Sequence, residues 1–168
     1  MKELYNEQYF KSSWRFQTDK ERIDNLAFEI LKHEPKRVLD VGCGIGRLVN
    51  VLREKGVQAW GLDFAPSLKL KHWKQDYFIE ADARRLPFED KSFDIVYSSD
   101  FFEHIPEEEI DTVYAEMKRV GRHVIATIAF KDELTEEQEK YHVTNKSPRW
   151  WRNKLQGAEI TKYHGYKK

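Results

Sequence analysis

The chain has 168 residues, 40% hydrophobic and 35% charged, which suits one soluble domain with a buried core. Basic and acidic residues number 29 each, so the formal net charge is zero and no global field favours nucleic acid or an anionic membrane. A lone cysteine, Cys43, excludes an intramolecular disulfide framework and a cysteine metal cluster.

The N-terminus, Met1-Lys2-Glu3-Leu4-Tyr5, lacks an apolar stretch of signal-peptide type, and no run reaches the length of a bilayer span. The expectation is a cytoplasmic protein. Residues 1–17 carry Tyr5, Tyr9, Phe10, Trp14 and Phe16 without a period. Two readings stand there: a hydrophobic arm over the core, or a lid over a ligand. Thr18-Asp19-Lys20-Glu21 has the form of a capping box. Ile23, Leu26, Ala27, Ile30 and Leu31 then recur at helical spacing, and Pro35 stops the helix. Residues 1–35 are therefore an arm and a first helix.

A strand at about 36–41 runs into Gly42-Cys43-Gly44-Ile45-Gly46. Leu48, Val51 and Leu52 mark one face of the helix that follows, and Gly56 closes it. Val57 to Leu62 is a second strand ending at Asp63, Pro66 to Gln75 a short helix or turn, and Tyr77 to Ile79 a third strand. A turn at 89–92 precedes a fourth strand, Phe93 to Ser98. Pro106 suits the first turn of a long helix whose inner face is Ile110, Val113, Met117 and Val120. His123 to Ala129 is a fifth strand. Lys131 to Lys140 is charged and solvent-facing in expectation. Ser147-Pro148 caps a helix over Arg149 to Leu155, and Glu159 to Tyr163 is a last strand. Alternating strands and helices predict an α/β fold, Rossmann-like and doubly wound, with a mostly parallel sheet of six or seven strands and helices on both faces.

In such a sheet, ligands bind at the carboxyl ends of the strands. The stretches to weigh are Asp40 to Gly46, Asp63, Ala81 to Ala83, and Ser98 to His104. A nicotinamide dinucleotide fingerprint is G-x-G-x-x-G or A, with an acid about twenty residues on. Here Arg47 stands where the packing glycine would be, and Asp40 would set a carboxylate against a pyrophosphate. Asp40 suits instead an ammonium ligand without phosphate, while Asp63 can accept from both hydroxyls of a ribose. A ribose, a positive charge and no phosphate point to S-adenosylmethionine.

Four motifs in order carry a resemblance. They are Val38 to Gly46; Gly61-Leu62-Asp63; Ala81-Asp82-Ala83-Arg84-Arg85-Leu86-Pro87-Phe88; and Ser92 to Val96 with Phe102-Glu103-His104-Ile105. Over about residues 36–130 the chain resembles the class I S-adenosylmethionine-dependent methyltransferases of the small-molecule, methyltransferase type 11 kind. The resemblance implies a single methyltransferase domain over 1–168, with 36–130 the cofactor-binding core and 131–168 a variable acceptor-side tail. It implies S-adenosylmethionine as cofactor and S-adenosylhomocysteine as product. It also implies that Gly42, Gly44 and Gly46 line the methionine and ribose, and that Asp40 orders the loop and reaches toward the amino group. By the same carry-over Asp63 holds the ribose, and Phe64 packs on adenine. Asp82 meets the exocyclic amine and the Ala83 amide a ring nitrogen, after Ala81. Ser98 and Ser99 lie under the methionine end. Cys43 reads as a small turn filler, not a nucleophile. No metal site is expected.

His104 is the candidate base, since it follows the fourth strand; the alternative is a histidine that orders the loop beneath the cofactor. Asp100 and then Glu103 come after it, and His142 reads as a loop histidine. Ser98-Ser99-Asp100-Phe101 lacks the Asn/Asp-Pro-Pro-aromatic motif of nucleic acid amino-methylases, and pyrimidine C5 methylation needs a cysteine nucleophile that is not there. Nucleic acid is not the expected partner. Trp150 and Trp151 either pack an amphipathic helix on the sheet or wall an acceptor site. Tyr141-His142-Val143-Thr144 followed by Trp150-Trp151 is loosely similar to the tail of methyltransferases found with bacterial glycan synthesis. The expected reaction is methyl transfer to an O or N acceptor on a small molecule or glycan. The alternative is a non-catalytic cofactor-binding partner. The family's sheet ends in an antiparallel seventh strand for which little chain remains here, so a homodimer or a large acceptor is expected to cover that edge.

Overall fold

The computed structural model describes residues 19–64, 73, 75–130 and 141–162. The aromatic arm, Thr18, most of the turn after Asp63, the charged segment 131–140 and Tyr163 lie outside these residues.

Six strands form one sheet: β1 (Arg37–Val41), β2 (Gln58–Asp63), β3 (Phe78–Glu80), β4 (Phe93–Ser99), β5 (Gly121–Ile128) and β6 (Glu159–Lys162). Their order is β3-β2-β1-β4-β5-β6, and every neighbouring pair is parallel. The helices are α1 (Lys20–Leu31), α2 (Arg47–Glu54), α3 (Glu107–Val120) and α4 (Pro148–Lys154). The fold is thus the expected Rossmann-like α/β arrangement. Among the described residues the sheet holds six strands, all parallel, with no antiparallel seventh.

Side chains alternate across each strand, and the two faces are covered by different helices. Val38, Ala59, Ile95 and Tyr97 pack with Ile23, Ala27 and Ile30 of α1 and Leu48, Val49 and Leu52 of α2. Leu39, Val41, Leu62 and Val96 face the other way. They pack with Ile110, Val113, Met117 and Val120 of α3 and Trp151 of α4. Each fully buried aliphatic side chain contributes about 1.5–3 kcal/mol. In α2 Val49 is fully buried and Val51 only partly, so the inner arc is centred one position from its expected place.

Two caps sit one residue from expectation. The cap of α1 is Asp19, whose carboxylate accepts from the Arg22 amide at 3.0 Å. Pro106 is the N-cap of α3 rather than a residue of its first turn, which Glu107, Glu108 and Glu109 fill at the positive end of the dipole. Ser147 caps α4 as expected, accepting from the Trp150 amide at 3.3 Å. Trp151 is wholly buried against Phe102, so the core reading of that tryptophan holds. No helix among the described residues is long and apolar enough to cross a membrane.

Candidate active site

The strand order reverses between β1 and β4, so the loops leaving their carboxyl ends part there and open a crevice. The loop after β1 folds toward β2: the Gly42 and Cys43 amides both donate to the Leu62 carbonyl, at 2.8 and 3.1 Å. Gly42 and Gly46 adopt φ of 76° and 77°, where a side chain is strained. Space forbids one too: a Cβ would lie 2.4 Å from the Phe101 ring at Gly42 and 2.2 Å from the Phe78 ring at Gly46.

Asp63 closes β2, and its Oδ2 accepts from the Gly44 amide at 3.0 Å. From the other side Trp73 donates its Nε1 to the Gly44 carbonyl at 3.0 Å and stacks on Phe78. Trp73 grips the glycine loop, yet sequence reasoning gave it no role. The sole signal was a tryptophan alone in a polar stretch.

Asp40 sits near the end of β1 with 4% of its surface exposed. Burial, and then the Asp63 charge, push its carboxyl up to about 7, against the opposing pull of Arg22. Burial also pushes the Cys43 thiol well above its ordinary range, which suits a turn filler and disfavours a thiolate. After β3, the Ala81 amide donates to the Asp63 carbonyl at 3.1 Å, and Ala83 is buried. Asp82 is half exposed, and the Nε of Arg84 donates to both its oxygens at 3.0 Å; Arg84 goes on to Glu109 at 2.8 Å. Phe64, next to Asp63, is half-buried.

At the end of β4, Ser98 is buried and its Oγ has no hydrogen-bond partner. Ser99 Oγ accepts from the Arg22 guanidinium at 2.9 Å, and the same guanidinium pairs with Asp100. Arg22 comes from α1, far away in sequence, so only the fold brings this cation to the site. Asp100 adopts φ of 49°, a left-handed conformation that an aspartate tolerates better than most residues. Glu103 is wholly buried in a short 3-10 turn, Phe102–His104. Its Oε1 accepts from the Ala129 amide at 2.9 Å, and burial with the Asp100 charge raises its carboxyl well above the usual range. Asp40, Asp100 and Glu103 thus set three carboxyl groups within reach of the Arg22 guanidinium, with Asp63 beside Asp40. Such a site gains by admitting positive charge.

His104 is buried, with Nδ1 2.9 Å from the Tyr141 carbonyl. A carbonyl only accepts, so Nδ1 carries the hydrogen and Nε2 the lone pair. Burial lowers its pKa to about 3. His142 is no bystander: it is buried, and its ring meets His104 edge-on at 4.6 Å between centroids. The Thr144 amide then donates to the Glu103 carbonyl at 3.0 Å and its hydroxyl to the Ile105 carbonyl at 2.7 Å. The tail segment 141–144 is laced onto the loop after β4.

A family model described as a methyltransferase domain matches residues 39–123. The demethylmenaquinone methyltransferase of Thermus thermophilus is 41% identical over 75 residues, 39% of this chain and 34% of that protein. The norajmaline N-methyltransferase of Rauvolfia serpentina is 31% identical over 86 residues, 45% of this chain and 30% of that protein. A solved S-adenosylmethionine-dependent methyltransferase from Archaeoglobus fulgidus shares the fold at a TM-score of 0.66 and 20% identity, over 88% of this chain and 72% of that one. The chain spans about a third of the length of the curated relatives it matches, 27% to 39% for three of them. With the glycine turn, the strand-end acids and the sheet order all in place, the chain belongs to this methyltransferase-domain family, the class I S-adenosylmethionine-dependent methyltransferases.

Proposed function

We propose that the chain transfers a methyl group from S-adenosylmethionine to an oxygen or nitrogen acceptor on a small molecule or glycan. The observation that carries this reading is the pair Asp40 and Asp63, two carboxylates raising one another's cost beside a glycine turn. A phosphate ligand would worsen that repulsion, and a cationic ribose-bearing ligand relieves it. The family's cofactor, whose pocket these residues fit, supplies when bound a methyl on a positively charged sulfur, open to in-line displacement.

The chain's own residues then position and exclude water. Gly42, Gly44 and Gly46 let backbone approach the ligand, with Cys43 filling the turn. Asp63 accepts from the ribose hydroxyls, and Asp40 faces the amino group. Phe64 packs on the adenine, which Ala81, Asp82 and the Ala83 amide border. Ser98, with its buried hydroxyl unpartnered, and Ser99 lie beneath the methionine end. For His104, a pKa near 3 supports a neutral, loop-ordering role over that of a strong base. A loop-ordering His104 predicts that His104→Gln keeps kcat at saturating cofactor while the cofactor KM rises. A collapse of kcat with KM unchanged would restore the base.

Both named relatives act on small molecules by their names, one of them at nitrogen, which supports the small-acceptor reading. The weakened His104 favours one second reading, a cofactor-binding partner without turnover of its own. A cytoplasmic setting and self-association across the β6 edge accompany the main reading. Calorimetry with S-adenosylhomocysteine and with NAD tests the cofactor, and binding of the first alone is expected. Transfer of labelled methyl to hydroxyl and amine acceptors then separates enzyme from partner, and light scattering separates dimer from monomer.

A further inference from the structure

At the other end of the sheet, away from the crevice, three potential ligands converge from three elements. His33 follows the C-terminus of α1, His123 lies near the start of β5, and Glu159 opens β6. The Nε2 atoms of His33 and His123 each lie 3.3 Å from Glu159 Oε2. All three ligand atoms fall within 4.8 Å of one another. We propose that His33, His123 and Glu159 bind a divalent cation of the zinc class, which pins the end of α1 to the amino ends of β5 and β6.

Tetrahedral zinc with bonds of about 2.0–2.1 Å spaces its ligand atoms roughly 3.3–3.4 Å apart. Two edges of the triangle already have that length, and the third closes by rotation of half-exposed rings. The rings are tilted at 45° with centroids 5.3 Å apart, so they do not stack face to face. Lys32 Nζ holds the other carboxylate oxygen, Oε1, at 2.9 Å, which leaves Oε2 to the histidines as a single donor. Side-chain exposures of 31%, 39% and 30% for His33, His123 and Glu159 leave room for water as a fourth ligand. Two imidazoles and one carboxylate select zinc, nickel or copper over calcium and magnesium, which prefer all-oxygen shells. Both imidazole Nε2 atoms thus meet the same carboxylate oxygen at the same distance, an arrangement that one shared cation fits. Arg22 rides on the same helix, so the cation steadies the element that carries the guanidinium to Asp100.

The test uses the full chain after chelator treatment. Titration with zinc chloride is followed by calorimetry, and cobalt chloride by its visible absorption. One equivalent is expected, with the absorption of a four-coordinate cobalt site and a rise in thermal midpoint. His33→Ala, His123→Ala and Glu159→Gln each weaken zinc at least ten-fold, while His142→Ala binds as the parent does. Far-UV circular dichroism checks each variant, and His33→Gln, at a half-exposed position, carries the test if His123→Ala misfolds. The proposal is overturned by no saturable zinc binding, by binding that survives loss of both His33 and His123, or by equal affinity for magnesium.

Discussion

Asp40 is where burial and charge conflict most openly. Its carboxyl rises from an ordinary value of 3.8 to about 7 in the folded chain, so the native state holds the proton more tightly than the unfolded state. Between those values the native state binds more protons, and stability falls as pH rises from about 4 to about 7. A shift of that size corresponds to a few kcal/mol, at about 1.4 kcal/mol per pH unit. Asp40→Asn should therefore flatten the loss, read as urea midpoints at pH 5 and pH 8. The deprotonated form is also the one that attracts an amino group. S-adenosylhomocysteine should bind more tightly at pH 8 than at pH 6, and a slope that persists in Asp40→Asn would assign it to another group. Asp63→Ala removes the partner of the Gly44 amide and, in the proposed function, the acceptor for the ribose hydroxyls. We expect at least a ten-fold loss of S-adenosylhomocysteine affinity, about 1.4 kcal/mol, by calorimetry.

At the scale of elements, the glycine turn and α4 answer to different forces. Gly46→Ala forces a side chain into a left-handed φ and onto the Phe78 ring, which also stacks on Trp73. Strain and overpacking together should cost about 2–4 kcal/mol, measured by urea unfolding, and should weaken cofactor binding as well. Trp151→Ala opens a cavity between α4 and the 3-10 turn, for about 3–5 kcal/mol of stability, with much less effect on cofactor affinity. Most of these elements were legible in the sequence because their signals are local. Ile110, Val113, Met117 and Val120 repeat at helical spacing, and Ser147-Pro148 is a cap whatever lies around it. The misplacements were local competitions. Asp19 won the cap of α1 because its carboxylate reaches the Arg22 amide, and Pro106 stayed just outside α3.

For the whole molecule, a ligand that binds only the folded chain raises its stability by mass action. S-adenosylhomocysteine at about one hundred times its Kd should add roughly 2.7 kcal/mol. For a chain of this size that is about 5–10 °C in thermal midpoint. NAD at the same concentration should leave the midpoint unchanged, and an equal rise with NAD would point to a generic nucleotide crevice.

Sequence alone determined the α/β order, the glycine turn and the acids at the strand ends, because each is written in neighbouring residues with a fixed period or spacing. The tertiary structure decided what those residues meet. It set Arg22 of α1 against Ser99 and Asp100, folded Trp73 over the glycine loop, and packed His142 on His104. It also gathered His33, His123 and Glu159 at the far end of the sheet, where the sequence had suggested no metal. These contacts join residues distant along the chain, and their energies depend on burial, which no local pattern records.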